Sequence, residues 1–281
     1  MKKIILDSSP DSEGRICLTG NDFHHLVRVR RVRPGSVINA VLPDGNEAKF
    51  TVLNTGGGSL EAVYLTDDPD NRVSGQNPAS ACPSLYLFQA LPKGMKMDLI
   101  VRQAAECGVS EIIPFVCENS QIKMNITAGD ISGDGLLTEK IRRWNRIVRE
   151  ARQQSGSSVP TVVKNPRSFE GFLDYWKKIN EEKPGGVGIL FHQDPLAPGS
   201  FHDYLVNNPQ FVAMAVGPEG GFSPGEAGRL LSAGFLPLVM GDTVLRTETA
   251  ALYGAAAIRV ILMENEFWHL KKNRLRSNAD A

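Results

Sequence analysis

The sequence predicts an α/β protein in two parts, a small β domain over residues 1–74 and a parallel α/β sheet over residues 75–281. Three observations lead there. The runs Ile38–Val41, Ala48–Leu53 and Leu60–Tyr64 are rich in branched residues and are separated by Pro43-Asp44-Gly45 and Thr55-Gly56-Gly57-Gly58, so they read as short strands joined by turns. From Leu85 onward, apolar strands alternate with amphipathic helices, which implies crossover connections and parallel pairing. Between the two parts, residues 67–83 are dense in Pro, Asn, Asp, Ser and Gly and read as a linker.

About five strands in the first part suggest a barrel. Ahead of the strand runs lies the segment Asp22–Gly35, where Leu26, Val29 and Val32 recur at helical spacing and leave Arg28 and Arg31 outside, with Arg30 and Arg33 beside them. Such a charge run is either a solvated face or a phosphate-binding one, and the neighbouring His24 and His25 suit the second.

In the second part, strand Leu85–Ala90, helix Met95–Cys107 ending at Gly108, and strand Glu111–Val116 make one βαβ unit. Asn125–Thr138 reads as a glycine-rich loop. The helix expected over Glu139–Gln154 turns Ile141, Trp144, Val148 and Ala151 inward and sets Arg142, Arg146 and Arg149 on another face, open either to RNA or to ion pairs with Glu139 and Glu150. A further helix is expected over Phe169–Ile179 and a buried strand over Val187–Phe191, ending at His192. The chain from Lys271 reads as a disordered tail.

Two more strands, Phe211–Val216 and Phe235–Met240, each end in a glycine loop that opens into a helix. In Gly217-Pro218-Glu219-Gly220-Gly221 the glycines let backbone N–H groups approach a ligand with no Cβ in the way. Ser223, Pro224 and Glu226 then form a helix start with a capping box, and Gly234 ends that helix. The second loop, Gly241–Arg246, leads to Thr247 as expected N-cap and to a helix thinned by Ala250, Ala251, Gly254 and Ala255. Taken singly these are ordinary βα turns. Neither a phosphate-binding G-x-x-x-x-G-K-[ST] nor a dinucleotide-binding G-x-G-x-x-G accounts for them.

Composition narrows the rest. With 31 Lys and Arg against 31 Asp and Glu, any nucleic-acid site must be a local patch. Cys17, Cys82, Cys107 and Cys117 form no C-x-x-C pair and have no metal spacing with histidine, so reduced structural thiols and no metal are expected. The first residues lack the apolar run of a signal peptide, and Arg259 interrupts the longest apolar stretch. The expectation is a soluble cytoplasmic protein with no membrane partner.

The pair GPEGGFS-x-x-E and G-x-x-x-L-R-T-E-T-A closely resembles the ribosomal RNA small-subunit methyltransferase E family, enzymes of the SPOUT class. Agreement continues through Lys93-Gly94, Lys96-Met97, Glu106, Gly108-Val109-Ser110, Pro114, Trp144, Gln154 and Gly156. In the first part His25, Arg28, Val29, Arg31 and Gly35 fit the H-x-x-R-V-L-R-x-x-x-G segment of a PUA-like domain, with Arg30 in place of leucine. The resemblance implies a PUA-like β-barrel, then a SPOUT-type parallel sheet with a trefoil knot. It implies a homodimer that methylates uridine N3 in 16S ribosomal RNA, naked or in the assembled small subunit, with S-adenosylmethionine.

By the same resemblance the cofactor pocket comprises Leu190, Phe191 and His192, then Gly217, Glu219 and Gly220, then Met240, Gly241, Val244 and Leu245. As a lone histidine, His192 reads as structural rather than catalytic. RNA contacts fall to His25, Arg28, Arg30, Arg31, Arg142, Arg146 and Arg149. Uracil N3 must lose a proton before it attacks a methyl group. Arg246 is the candidate for stabilising the resulting anion, and Glu219 and Glu248 are candidates for proton acceptance or cofactor contact. Several positions depart from the pattern. Thr243, Asn119 and Ser157 replace arginines, Gln103 replaces a lysine and Met240 a leucine. A SPOUT enzyme with another target, or an RNA-binding protein that keeps the fold without turnover, therefore stands beside the main reading. The small-residue helix after Thr247 suits either a dimer interface or a buried intrachain position.

Overall fold

The computed structural model describes residues 3–65, 82–121, 135–207 and 209–264. The chain divides into two compact units, Met1–Ala81 with Arg149–Pro160, and Cys82–Val148 with Thr161–Ala281. Most of the expected linker and the tail from Lys271 lie outside the described residues.

The first unit holds β1 (Ile4–Ile5), β2 (Arg15–Thr19), β3 (Val37–Val41), β4 (Glu47–Gly56) and β5 (Ser59–Tyr64) in the order β1-β3-β4-β5-β2. All its pairings are antiparallel except β1 with β3. This is a half-barrel, and alternate residues Ile38, Ala40, Ala48, Phe50, Val52, Leu60 and Ala62 fill its core. The arginine segment folds as a short helix α1 (Gly20–Phe23) running into a π-helical stretch, His24–Val29. There the Arg30 N–H donates to the His25 carbonyl at 2.9 Å, an i→i+5 bond. Because a π turn holds more residues than an α turn, the inward set becomes Leu26, Val27 and Val32. Val29, expected inside, is 62% exposed.

The second unit is built on an all-parallel sheet, β6 (Ser84–Ala90), β7 (Glu111–Val116), β8 (Val162–Val163), β9 (Arg167–Ser168), β10 (Val187–Phe191), β11 (Phe211–Val216) and β12 (Phe235–Leu238). Its order is β12-β10-β11-β6-β7-β8, with β9 also beside β7. The central strand β11 is buried at every position, as its unbroken apolar sequence requires. The helices are α2 (Lys96–Glu106), α3 (Gly135–Ser155), α4 (Phe169–Glu182), α5 (Phe201–Leu205), α6 (Pro224–Ser232) and α7 (Thr247–Met263). Helix α3 starts inside the segment expected to be loop. Against one sheet face packs an aromatic cluster in which Phe172 of α4 stacks on Phe88 at 4.3 Å between centroids. Phe115, Phe222, Phe235 and Trp176 complete it. Each such pair contributes about 0.5–1.5 kcal/mol beyond area burial.

Helix α7 shows why its sequence is so thin. Ala250, Ala251, Gly254 and Ala255 all face inward, so the small residues serve intrachain packing. A Cβ on Gly254 would stand 2.1 Å from the Phe191 ring. Arg259, the charge that interrupts the apolar stretch, donates to the carbonyls of Cys107 at 3.3 Å and Pro83 at 3.2 Å, and to that of Gly108, closing the carboxyl end of α2. Among the described residues no helix is long and apolar enough to cross a membrane.

Gly254→Ala should therefore destabilise the protein by about 1–3 kcal/mol through overpacking against Phe191. Equilibrium urea unfolding measures it, and an unshifted midpoint would show that α7 has room to move.

Candidate functional site

Because every strand of the second sheet points the same way, the loops after β6, β10, β11 and β12 leave it at one end. Crevices outside the carboxyl ends of parallel strands are where open α/β sheets bind ligands. Here a cavity of about 420 Å³ opens, lined by Lys96, Phe191–Gln193, Val216–Phe222, Val239–Thr247 and Ala250. That lies within the usual ligand-pocket range of about 300–1,000 Å³.

The glycine loop Gly217–Gly221 is fastened from several sides. Thr247 Oγ1 donates to the Gly217 carbonyl at 2.7 Å and accepts from the buried Gln89 Nε2 at 3.0 Å. Asn119 Nδ2 donates to the carbonyls of Gly220 and Gly221 at 3.1 and 3.2 Å. Phe222 follows the loop into the core and stacks on Phe115 with ring planes 7° apart. Behind it the expected capping box is present, with Ser223, Pro224 and Glu226 in the predicted roles, and Glu226 also accepts from the Glu118 N–H at 2.8 Å. Glycine is required here for specific reasons. A Cβ on Gly217 would meet the Gly221 backbone at 3.2 Å, a Cβ on Gly220 would meet Asn119 at 3.1 Å, and Gly221 has a φ of 67°.

The structure brings together Phe191, His192, Gly217, Glu219, Gly220, Met240, Gly241, Val244, Leu245 and Arg246 on the cavity wall. Two expected site residues are elsewhere. Leu190 is wholly buried between Ala215 and Pro237 in the sheet, because side chains alternate along a strand and Phe191 takes the open position. Glu248 does not line the cavity; it sits behind Lys96, with Oε2 3.5 Å from Nζ. Thr247 is not the N-cap. Arg246 is, and the threonine hydroxyl is spent on Gly217 instead. The Arg246 side chain is exposed and makes no hydrogen bond or ion pair among the described residues.

Glu219 Oε1 accepts from Lys96 Nζ at 2.8 Å and from the Lys93 N–H at 3.2 Å. Burial works to raise its pKa, but the Lys96 hydrogen bond and backbone N–H groups outweigh that and hold the carboxyl below the usual range. The same contact keeps the Lys96 ammonium charged, its pKa raised chiefly by Glu219. Glu219 is thus a poor proton acceptor at neutral pH. Sequence reading overlooked Lys96, Gln193 and Asn119 as site residues, although Lys96 belongs to a quoted motif.

Among the basic residues, His25, Arg28 and Arg31 are exposed, and Arg31 adopts a φ of 55° at the end of the π-helical stretch. Arg30 is half-buried. Arg142 pairs with Glu139 at 2.8 Å on an exposed face, where Arg146 is also exposed. Arg149 departs from that set. It is held by Asp22 at 2.6 Å and Asp7 at 3.0 Å, because residues 149–155 of α3 belong to the first unit.

A family profile described as RNA methyltransferase domain matches residues 80–259, and one described as RNA methyltransferase PUA domain matches residues 18–64. The chain belongs to the ribosomal RNA small-subunit methyltransferase E family of RNA methyltransferases. The family protein of that name from Mycobacterium bovis is 29% identical over 264 residues, covering 91% of this chain and 90% of the relative. Its Bacillus subtilis counterpart is 27% identical over 246 residues, covering 86% and 88%. The solved family structure from Neisseria gonorrhoeae, bound to S-adenosylmethionine, superposes with a TM-score of 0.72 at 23% identity, covering 93% of this chain and 98% of that one. A putative methyltransferase from Legionella pneumophila, also holding that cofactor, gives 0.68 at 25% identity, covering 92% and 97%. The PUA-like half-barrel followed by a parallel α/β sheet is the fold this chain shares with these structures.

Thr247→Val keeps shape but removes the bond to the Gly217 carbonyl and one of the two that Gln89 Nε2 donates, the other going to the Ala90 carbonyl at 2.9 Å, at a cost of about 1–3 kcal/mol. Hydrogen exchange of the amides of residues 217–222 should accelerate. Unchanged exchange would show that Asn119 and Phe222 hold the loop without it.

Proposed function

We propose that this protein transfers the methyl group of S-adenosylmethionine to N3 of a uridine in small-subunit ribosomal RNA, and that it does so as a homodimer with the family's knotted sheet. The observation that carries the reading is the convergence of three loops on one cavity with the exposed guanidinium of Arg246 on its wall.

The residues present suit the cofactor. Gly217, Gly220 and Gly221 offer backbone with no side chain on the ligand side, while Val244, Leu245, Met240 and Phe191 supply apolar wall for an adenine and ribose. When bound, the cofactor supplies the electrophilic methyl group, so no metal is needed. The protein orients the base, excludes water and stabilises the charge left at N3 after its proton goes. Arg246 fits that last role. A guanidinium presents donors in a fixed planar fork, and this one has no partner among the described residues. A guanidinium facing a sulfonium is repelled unless an anion lies between them, and the deprotonated uracil is such an anion. Glu219 and Glu248 serve charge and shape rather than proton removal, since the first is held ionised by Lys96 and the second is off the wall.

RNA is held by His25, Arg28 and Arg31 of the first unit, with Arg142 and Arg146 of α3 as further exposed cations. Arg30 contributes less, and Arg149 is excluded by its ion pairs. The outer side of α7 carries the exposed apolar residues Tyr253, Val260 and Met263, which supports a subunit interface there.

Arg246→Ala should keep near-normal cofactor affinity and lose about a hundred- to a thousand-fold in single-turnover methylation, the usual cost of one preorganised donor to a developing anion. Its rate should also climb more steeply with pH as free uridine ionises. Wild-type turnover, or loss of cofactor affinity alone, would remove Arg246 from the chemistry. Replacing Arg28 and Arg31 together by Ala should flatten the slope of log K for RNA against log salt by about one to two, at roughly 0.7–0.9 per phosphate contact. An unaltered slope would make those arginines a solvated face.

A further inference from the structure

One ammonium joins three segments around the cavity. Lys96, the first residue of α2, lines the wall and donates from Nζ to Glu219 Oε1 of the glycine loop at 2.8 Å. The same Nζ stands 3.5 Å from Glu248 Oε2 on α7. That Glu248 oxygen is buried and, this contact apart, has no hydrogen-bond partner among the described residues. Lys93, just ahead of α2, clips its own backbone N–H to the same Glu219 oxygen at 3.2 Å.

The arrangement has a definite electrostatic consequence. Two carboxylates drawn to one point repel each other, and neighbouring carboxyls so placed share a proton unless a cation lies between them. One positive charge against two negative ones gives this triad, two members on the wall and Glu248 just behind Lys96, a formal net charge of −1. A ligand that carries a sulfonium and an ammonium is favoured beside such a wall. The other charged or titratable residues on the cavity are His192, Asp242 and Arg246, and Asp98 of α2 is taken up by Trp144 and Arg143.

We propose that Lys96 is a positioning residue for the cofactor pocket, joining Glu219 to Glu248 through one ammonium so that the two carboxyls stay paired and the glycine loop stays fixed to α2 and α7. This rests on the cofactor reading given above. Lys96 acts through the two carboxylates and takes no part in methyl transfer.

Calorimetry with S-adenosylmethionine tests it, run at about pH 6 and about pH 8 in buffers of different ionisation enthalpy. Lys96→Met, with a native circular dichroism spectrum, should bind about tenfold more weakly than wild type. Without the ammonium, the paired carboxyls retain a proton that a cationic ligand expels. Binding to Lys96→Met should therefore release more protons than binding to wild type, and its affinity should rise from the lower pH to the higher. Lys96→Arg should stay within about threefold of wild type with no added proton release, and Lys96→Met combined with Glu248→Gln should lose the release. Wild-type affinity and proton balance in Lys96→Met would overturn the proposal, as would equal weakening in Lys96→Arg. A wild-type protein that takes up no cofactor would overturn the cofactor reading and this inference with it.

Discussion

A loop that offers its backbone to a ligand must be held from behind, and much of the second unit serves that constraint. Three of the five residues of Gly217–Gly221 have no side chain with which to anchor the segment. Its carbonyls are therefore taken by Thr247 and Asn119, its carboxylate by Lys96 and Lys93, and its exit by Phe222 in the aromatic core. Each bond is modest, about 0.5–1.5 kcal/mol net for a neutral pair and more with a charge. Their joint effect is a preorganised surface that does not have to be ordered when the ligand arrives.

The same constraint explains features that look unrelated in sequence. Gln89 is buried in β6 because Thr247 needs a partner on its far side. Gly254 is a glycine because the Phe191 ring, which lines the cavity, occupies the space a Cβ would need on α7. Glu226 is buried although acidic, since its carboxyl oxygens accept from the Ser223 N–H in the capping box and from the Glu118 N–H. Asn119 is short, and its amide reaches two loop carbonyls at once.

Much of this was legible from local pattern. The strands β7, β10 and β11 fall on the residues where apolar runs place them, and the Ser223 capping box was readable because all its parts lie within four consecutive residues. Family motifs then supplied the cavity loops. Local spacing failed where the backbone left its usual period, as in the π-helical stretch that turned Val29 out and Val27 in. It also failed where a side chain found a distant partner, as with Thr247, drawn from capping to Gly217, and Arg149, drawn from an exposed face to Asp7 and Asp22.

By itself the sequence determined the parallel order of strand and helix, the three glycines of the Gly217–Gly221 loop, and the residues that mark the family, because these depend on neighbours a few positions apart. Only the tertiary structure decided which of those residues share a wall. Lys96, Glu219 and Glu248 lie more than a hundred positions apart from first to last, and nothing in their local pattern says that one ammonium will serve both carboxylates. Burial decided the rest. Leu190 and Phe191 are adjacent and equally apolar in sequence, yet strand alternation buries the first in the sheet and gives the second to the cavity.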